Sequence, residues 1–346
     1  MEKWILYFFP FAEALGISLF LSLVFIFFLK NFSIKKRKGK RHLHHTEVSR
    51  WGGLAIVGAF LAILFFDSHL VLTTQLWGVI FASFLILVIG IADDLWQLEW
   101  KTQLFFQVCA AMVVFILGVQ VEYITNPFGG VIFLATEKYL IPSLIFGIFW
   151  IVVFMNAMNW VDGVDGLSGG ITFIGSVVLF FLSLKPEVNQ PPVAIICAAL
   201  AGATLGFLIL NFHPAKILAG TSGSMFMGFM LAVLAIFAGA KIATALLVMS
   251  IPLVDVIGVI FGRLKRGVSI FKPDCNHLHH KLMKLGWSVK KIALFYYFIS
   301  ILIGIVALNT RLIGKMATIL VVFFIIGVFI FFINTRLARE RKIISE

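Results

Sequence analysis

Eleven apolar runs, most of them close to the length of a bilayer-crossing helix, constrain this chain more than any other feature. A helix needs about 20 predominantly apolar residues to traverse the hydrocarbon core. Runs of this kind fall at 4–29, 51–66, 76–92, 103–119, 140–158, 167–184, 192–211, 223–239, 241–260, 292–308 and 314–334. Residues of the AVILMFWYC set make up 61% of the 346, only 13% are charged, and the mean hydropathy is +1.06. A soluble domain carries about 25% charge and cannot hide so much apolar surface. A soluble enzyme, a disordered chain and an alternating β-barrel are thereby excluded. The expected fold is all-α: a polytopic membrane helical bundle of about eleven transmembrane helices, with 1–346 as one integral-membrane domain.

Lys and Arg number 28 against 16 Asp and Glu, a net charge of +12. In a membrane protein such an excess gathers in cytosolic loops, so no nucleic-acid partner is expected. Suppose that the first run passes from outside to inside. Eight basic residues in 30–50, eight in 262–291, four in 335–346, Lys101 and Lys216 then lie inside. Lys3, Lys138, Lys185, Lys241, Arg311 and Lys315 lie outside. This bias predicts an outer N-terminus and a cytosolic C-terminus. The aspartates follow the same division: Asp93, Asp94, Asp162, Asp165, Asp255 and Asp274 fall at inner helix ends or loops, and only Asp67 falls outside. Cys109, Cys197 and Cys275 are scattered, without a CxxC pair or a disulfide framework. The basic cluster follows the first run rather than preceding it, so no cleavable signal peptide is expected.

Five inner segments carry polar chemistry. Asp93-Asp94 ends the third run; adjacent carboxylates at a membrane boundary repel each other and are costly to desolvate, and a divalent cation with oxygen ligands relieves both. Solvated helix-end charges are the plainer reading of that pair. The second segment runs Asn156-Ala-Met-Asn159-Trp-Val-Asp162-Gly163-Val-Asp165-Gly166. Steps of three place Asn156, Asn159 and Asp162 on one helix face, and the glycines let the backbone leave the helix close to a ligand. The third, Asn211-Phe-His-Pro214 leading to Gly220-Thr221-Ser222-Gly223-Ser224, puts a Gly- and hydroxyl-rich turn at a helix N-terminus, where free N–H groups suit an anion; a capped, tightly packed helix start reads equally well. The fourth contains Asp274, His277, Leu278, His279, His280 and Lys281. Leu278, Leu282 and Leu285 suggest a short amphipathic helix with Asp274 as N-cap and Gly286 as its stop; its histidines suit a pyrophosphate, and a basic interfacial helix is the alternative. The fifth, 35–53, holds Arg41, His44, His45 and Arg50 and reads first as a positive-inside anchor.

Together these motifs resemble the polyprenyl-phosphate N-acetylhexosamine-1-phosphate transferase family (glycosyl transferase family 4), over roughly 41–286. The paired aspartates, the Asn-x-x-Asn-x-x-Asp-Gly-x-Asp-Gly run and the His-x-His-His loop carry the likeness, which favours the bacterial undecaprenyl-phosphate GlcNAc-1-phosphate branch. The resemblance implies transfer of a sugar phosphate, GlcNAc-1-phosphate in that branch, from a UDP-N-acetylhexosamine to a polyprenyl phosphate. UMP leaves, a cell-envelope glycan is started, and the site opens on the cytosolic face of a bacterial-type inner membrane. It implies Asp93 as base or nucleophile with Asp94 beside it, and Lys101, His279 and His280 as further catalytic groups. Substrate contacts would come from Arg50, Asn156, Asp162, Asp165, Asn211 and His277. Mg²⁺, with Mn²⁺ as an alternative, would be held by Asp94, Asn159 and Thr221. The bilayer is the second partner, and a homodimer is compatible with the sequence. Two positions depart from the family pattern: Thr221 stands where the family has an aspartate, and Gln103 where it has a basic residue. They leave a binding-only, catalytically impaired paralogue as the alternative.

Overall fold

The computed structural model describes residues 2–28, 48–126, 130–136, 139–239, 241–269, 276–310 and 312–345. In hydrocarbon, backbone N–H and C=O groups must find partners within the protein, and an apolar helix supplies them all. The helices are α1 (Glu2–Phe28), α2 (Gly52–Phe66), α3 (Thr74–Trp96), α4 (Trp100–Ile116), α5 (Ile141–Val161), α6 (Leu167–Ser183) and α7 (Pro191–Asn211). They continue as α8 (Gly220–Phe237), α9 (Ile242–Val248), α10 (Ser250–Lys265), α11 (Leu278–Lys284), α12 (Val289–Asn309) and α13 (Leu312–Ser345). A small antiparallel hairpin, β1 (Tyr123–Thr125) with β2 (Val131–Phe133), joins α4 to α5 and pairs Tyr123 with Phe133; counting apolar runs does not reveal it.

Every expected run coincides with a helix. Among the described residues α1, α3, α5, α7, α8, α12 and α13 contain stretches long and apolar enough to cross a membrane, while α2, α4 and α6 are shorter apolar helices. The protein is a multi-pass helical membrane protein. One run departs from expectation: 241–260 is not a straight span but α9 and α10 meeting at 76° around Met249. Pro252 explains the break. It has no N–H to give to Val248, and its ring would collide with a continuing helix, whereas the first turn of a new helix tolerates it.

At the centre stands α8, buried from Gly220 to Ile236 and packed against α2, α3, α5 and α6. An apolar helix surrounded on all sides needs no polar face. The one indole N–H that meets it, Trp150 Nε1, donates to Ala232 O at 3.1 Å. At the rim, α1 and α13 turn Phe8, Phe20 and Phe27, and Phe324 and Phe331, outward as lipid-facing surface. The longest helix contact, α1 against α7, depends on small residues: a Cβ on Gly202 would lie 2.1 Å from Phe11 O, and one on Gly206 2.4 Å from Leu15 O. Close backbone approach of this kind drives helix association where lipid is as apolar as protein.

Because the obstructing atoms belong to backbone, Gly206→Val should cost about 1–3 kcal/mol or more. The expected outcome is a lower unfolding temperature in detergent and loss of the monodisperse peak. Gly327→Val, where an added Cβ meets nothing within 4 Å, should leave both unchanged; equal behaviour of the two variants would refute the tight α1–α7 contact.

Candidate active site

The polar ends of α3, α5, α7, α8 and α10 meet at one end of the bundle, and the central piece is the start of α8. Thr73 caps the start of α3, leaving its last turn to carry Asp93 and Asp94, 4% and 2% exposed. Adjacent helical residues diverge by about 100°, so the two carboxylates reach different partners. Asp93 Oδ2 accepts from Thr221 Oγ1 at 2.6 Å, and its Oδ1 accepts from Leu98 N at 2.9 Å and Gln103 Nε2 at 2.8 Å. Asp94 Oδ2 accepts from Thr221 N at 2.8 Å, and its Oδ1 lies 3.7 Å from Arg50 Nη1. The amide at the start of α8, expected to face a substrate anion, is therefore taken by Asp94. Gly220, at φ +69°, makes this possible: a Cβ there would sit 2.3 Å from Asp94 Oδ2.

The stretch around Arg50 is tied to the loop before α8. Gly52 N donates to Leu218 O, Gly53 N to Ala219 O, and Leu218 N to Ser49 O. Arg50 is held beside Asp94 by backbone as well as charge. Arg41, His44, His45 and Asp274 lie outside the described residues.

At the end of α5, Asn156 Nδ2 donates to Gln107 Oε1 at 2.6 Å, and Asn159 Oδ1 accepts from Ser224 Oγ at 2.9 Å. Asp162 accepts from the Ser168 hydroxyl. Their partners sit on α4, α8 and α6, so these groups fan out rather than share one face as expected. Each three-residue step falls 60° short of a full turn, and two steps swing the side chain by about 120°. Burial raises the Asp162 carboxyl to about 7; the Ser168 hydroxyl and Arg50 pull it down, and Asp94 and Asp165 push it up.

Asp165 and Asn211 brace two inner loops. Asp165 Oδ2 meets His213 Nδ1 at 2.7 Å and accepts from Ala215 N at 3.1 Å. Asn211 Oδ1 accepts from Gly166 N at 2.9 Å while its Nδ2 donates to Ile217 O at 2.7 Å. The two polar atoms of the Asn211 side chain are thus engaged with backbone.

The histidine loop closes over the same end. His277, not Asp274, is the N-cap of α11, and Gly286, at φ +82°, follows its end as expected. His277 Nδ1 lies 2.9 Å from Asp255 Oδ2, and Leu278 N donates to Asp255 Oδ1 at 2.7 Å. His279 is fully buried and neither ring nitrogen has a hydrogen-bond partner among the described residues. Burial, then the neighbouring His280 and His277, holds it well below the usual imidazole range, so it is neutral. It rests on the Asp162-Gly163 turn, where a Cβ on Gly163 would lie 2.8 Å from its Nε2. His280 stacks obliquely on it, ring centroids 4.3 Å apart.

Lys101 does not join this cluster. It is exposed on the first turn of α4 with its ammonium 5.9 Å from the Trp100 ring centroid. Two residues on, Gln103 faces the other way, because two helical steps turn a side chain by about 200°. Among the described residues no three His, Cys, Asp or Glu groups could hold a metal by themselves. Asp94 and Thr221 meet at the start of α8, and Asn159 joins the same helix through Ser224. Oxygen donors few in number suit Mg²⁺, which keeps several waters and binds through one or two carboxylates plus substrate phosphates. The sequence places Asp255 among the inner aspartates and Ser224 in the hydroxyl-rich turn without giving either a partner; the structure pairs them with His277 and Asn159 and brings Gln107 to Asn156. For Asp255 a signal existed: an ionisable residue inside an apolar run. A cavity of about 510 Å³, lined by Phe9, Glu13, Asp67 and His69, lies at the far end of α1 and α2.

The sequence model described as "Glycosyl transferase family 4" matches residues 76–239, the stretch from α3 through α8 that carries both aspartates, the Asn/Asp run and Thr221. The chain is 35% identical over 298 residues to a decaprenyl-phosphate N-acetylglucosaminephosphotransferase of Mycobacterium tuberculosis, covering 78% of this chain and 72% of that one. It is 30% identical over 331 residues to a probable undecaprenyl-phosphate N-acetylglucosaminyl 1-phosphate transferase of Bacillus subtilis, covering 92% and 88%. A phospho-N-acetylmuramoyl-pentapeptide-transferase of Limosilactobacillus reuteri is 31% identical over 297 residues, covering 81% and 88%. With its matched helices converging on one acidic site and its relatives aligned over most of their length, the chain belongs to glycosyl transferase family 4, the polyprenyl-phosphate N-acetylhexosamine-1-phosphate transferases.

Proposed function

We propose that this protein transfers GlcNAc-1-phosphate from UDP-GlcNAc to a polyprenyl phosphate, releasing UMP and starting a lipid-linked cell-envelope glycan. The observation that carries this reading is the junction of Asp93 and Asp94 with the start of α8, within electrostatic reach of Asp162, on whose turn His279 rests. In the same reading the eleven apolar runs cross the bacterial cytoplasmic membrane with the N-terminus outside, and the acidic end opens to the cytosol. A homodimer would leave that site complete in each copy.

The reaction breaks the bond between the β-phosphorus and the bridging oxygen of the donor and forms one from an acceptor phosphate oxygen. A phosphate monoester has a second pKa of about 6, so the acceptor is largely ionised and the main obstacle is one anion approaching another. Charge compensation and in-line placement are then the main sources of acceleration. Asp93, as base for the acceptor's last proton or as first nucleophile, is aimed by Gln103, Leu98 N and Thr221. Arg50 lies beside Asp94 and adds positive charge. Neutral His279 and its neighbours face the donor diphosphate from α11, and Asn156, Asp162 and Asp165 shape the nucleotide side. Asn211 and Asp165 hold the loops beneath it, so the contribution of Asn211 is indirect. Mg²⁺ (or Mn²⁺), held by Asp94, Asn159 and the lone pairs of Thr221, would supply charge neutralisation on the phosphates.

Thr221 and Gln103, the two departures from the family pattern, both donate to Asp93. Each therefore has a part in orienting the reactive carboxylate, which favours an active enzyme over a binding-only paralogue.

Asp93→Asn should abolish formation of lipid-linked sugar from radiolabelled UDP-GlcNAc while UDP-sugar binding survives; turnover like wild type would remove Asp93 from its role. Thr221→Val, which keeps the shape and deletes the hydroxyl, should lower kcat by about ten- to a hundredfold, the value of a hydrogen bond to a charged group. Its KM for donor should stay close to wild type in steady-state assays. For Asp162, the folded carboxyl at about 7 lies above the ordinary 3.8, so the folded state holds a proton that the unfolded state gives up between these values. Stability from this group is then full at low pH and falls as pH rises towards 7. Without divalent cations, thermal unfolding from pH 5 to 8 should show a decline that Asp162→Asn flattens.

A further inference from the structure

We propose that Asp255, on α10, is a positioning residue for the donor side of the site: its carboxylate starts α11 and fixes His277, and thereby sets His279 against the Asp162-Gly163 turn. The proposal rests on the transferase reading for its kinetic consequence and on the structure for its physical one.

A seven-residue helix such as α11 has little stability of its own, because nucleating a helix is unfavourable and few turns follow to offset it. Its first N–H groups need acceptors. His277 at the N-cap makes no side-chain capping bond. The acceptor comes instead from another helix: Asp255, 1% exposed, takes Leu278 N on Oδ1 at 2.7 Å and His277 Nδ1 on Oδ2 at 2.9 Å. A carboxylate at this place answers an open N–H and favours the positive end of the helix.

The contact with His277 has a second effect. A ring nitrogen held against a carboxylate fixes the orientation of the imidazole. The same ring lies parallel to His279, with centroids 5.7 Å apart and planes within 3°, and meets the edge of Trp160 at 5.6 Å. Trp160 stands between Asn159 and Asp162 and is itself covered by the Arg263 guanidinium at 5.3 Å. Asp255 thus anchors a chain of contacts running from α10 through His277 to the end of α5, and His279, whose ring nitrogens have no hydrogen-bond partner among the described residues, is the group this chain aims. Leu98 N, Gln103 and Thr221, which donate to Asp93 from the α3–α4 connection, α4 and α8, are not links of this chain.

The test uses the full-length protein in lipid nanodiscs. For Asp255→Asn, whose amide nitrogen cannot accept, the KM for UDP-GlcNAc should rise by about ten- to a hundredfold, as expected for losing a hydrogen bond to a charged group. The KM for polyprenyl phosphate should stay put, and Asp255→Glu should recover part of the loss. Hydrogen exchange should quicken at the amides of 279–285 while those of 141–158 keep their protection. Unchanged donor KM, unchanged exchange in α11, or an equal rise in both KM values would overturn the proposal. If Asp255→Asn does not fold, Asp255→Glu bears the same comparison with a smaller expected rise. A wild-type protein that makes no lipid-linked sugar defeats the transferase reading instead, and the exchange measurement still decides for or against Asp255.

Discussion

The structure depends on one polar junction: the start of α8 held between two adjacent carboxylates. Asp93 and Asp94 are almost wholly buried, and two ionised groups in such surroundings would repel each other and lose their hydration. Thr221 answers both, with its hydroxyl on Asp93 and its N–H on Asp94. Leu98 N, Gln103 and Arg50 add further contacts. The most buried helix of the bundle is therefore pinned at the end where the chemistry is proposed, and an acidic pair that would otherwise be costly becomes the fastening between α3 and α8.

Around that junction the same logic recurs. Buried polar groups at this end join one element to another: Asn156 with Gln107, Asn159 with Ser224, Asp165 with His213, Asn211 with two loops, and Asp255 with the start of α11. An unpartnered polar group in the low-dielectric interior is costly, so each pair fixes one loop relative to another. Ser49 Oγ, Trp51 Nε1 and both ring nitrogens of His279 are buried without a partner among the described residues, and His279 lies where the donor diphosphate is proposed to bind.

Hydropathy alone located the helices, because backbone in lipid has few ways to satisfy its hydrogen bonds. It failed where a local rule competed: Pro252 breaks the ninth apolar run into two helices at 76°, a signal present in the residues but overridden by run length. The motif residues were also legible, since acids and amides are rare in apolar surroundings. Their partners were less so. The resemblance implies Lys101 as a catalytic group, yet it lies exposed beside Trp100, and helical rotation brings Gln103 to Asp93 instead. Its place in the chain suggests Asp274 as the cap of α11, yet His277 holds that position and Asp255 supplies the acceptor from 23 residues upstream of Leu278.

By itself, then, the order of residues determined the helical membrane class, the positions of its helices and which side chains are too polar to be there without purpose. These follow from transfer free energy and helix period, both properties of short segments. Which acid meets which donor, that Asn156, Asn159 and Asp162 fan out over three neighbours, and that Thr221 at the start of α8 bridges Asp93 and Asp94 were decided only by packing. Hydrogen bonds reach about 3 Å, and no periodicity along one helix says which residue of another will come that near.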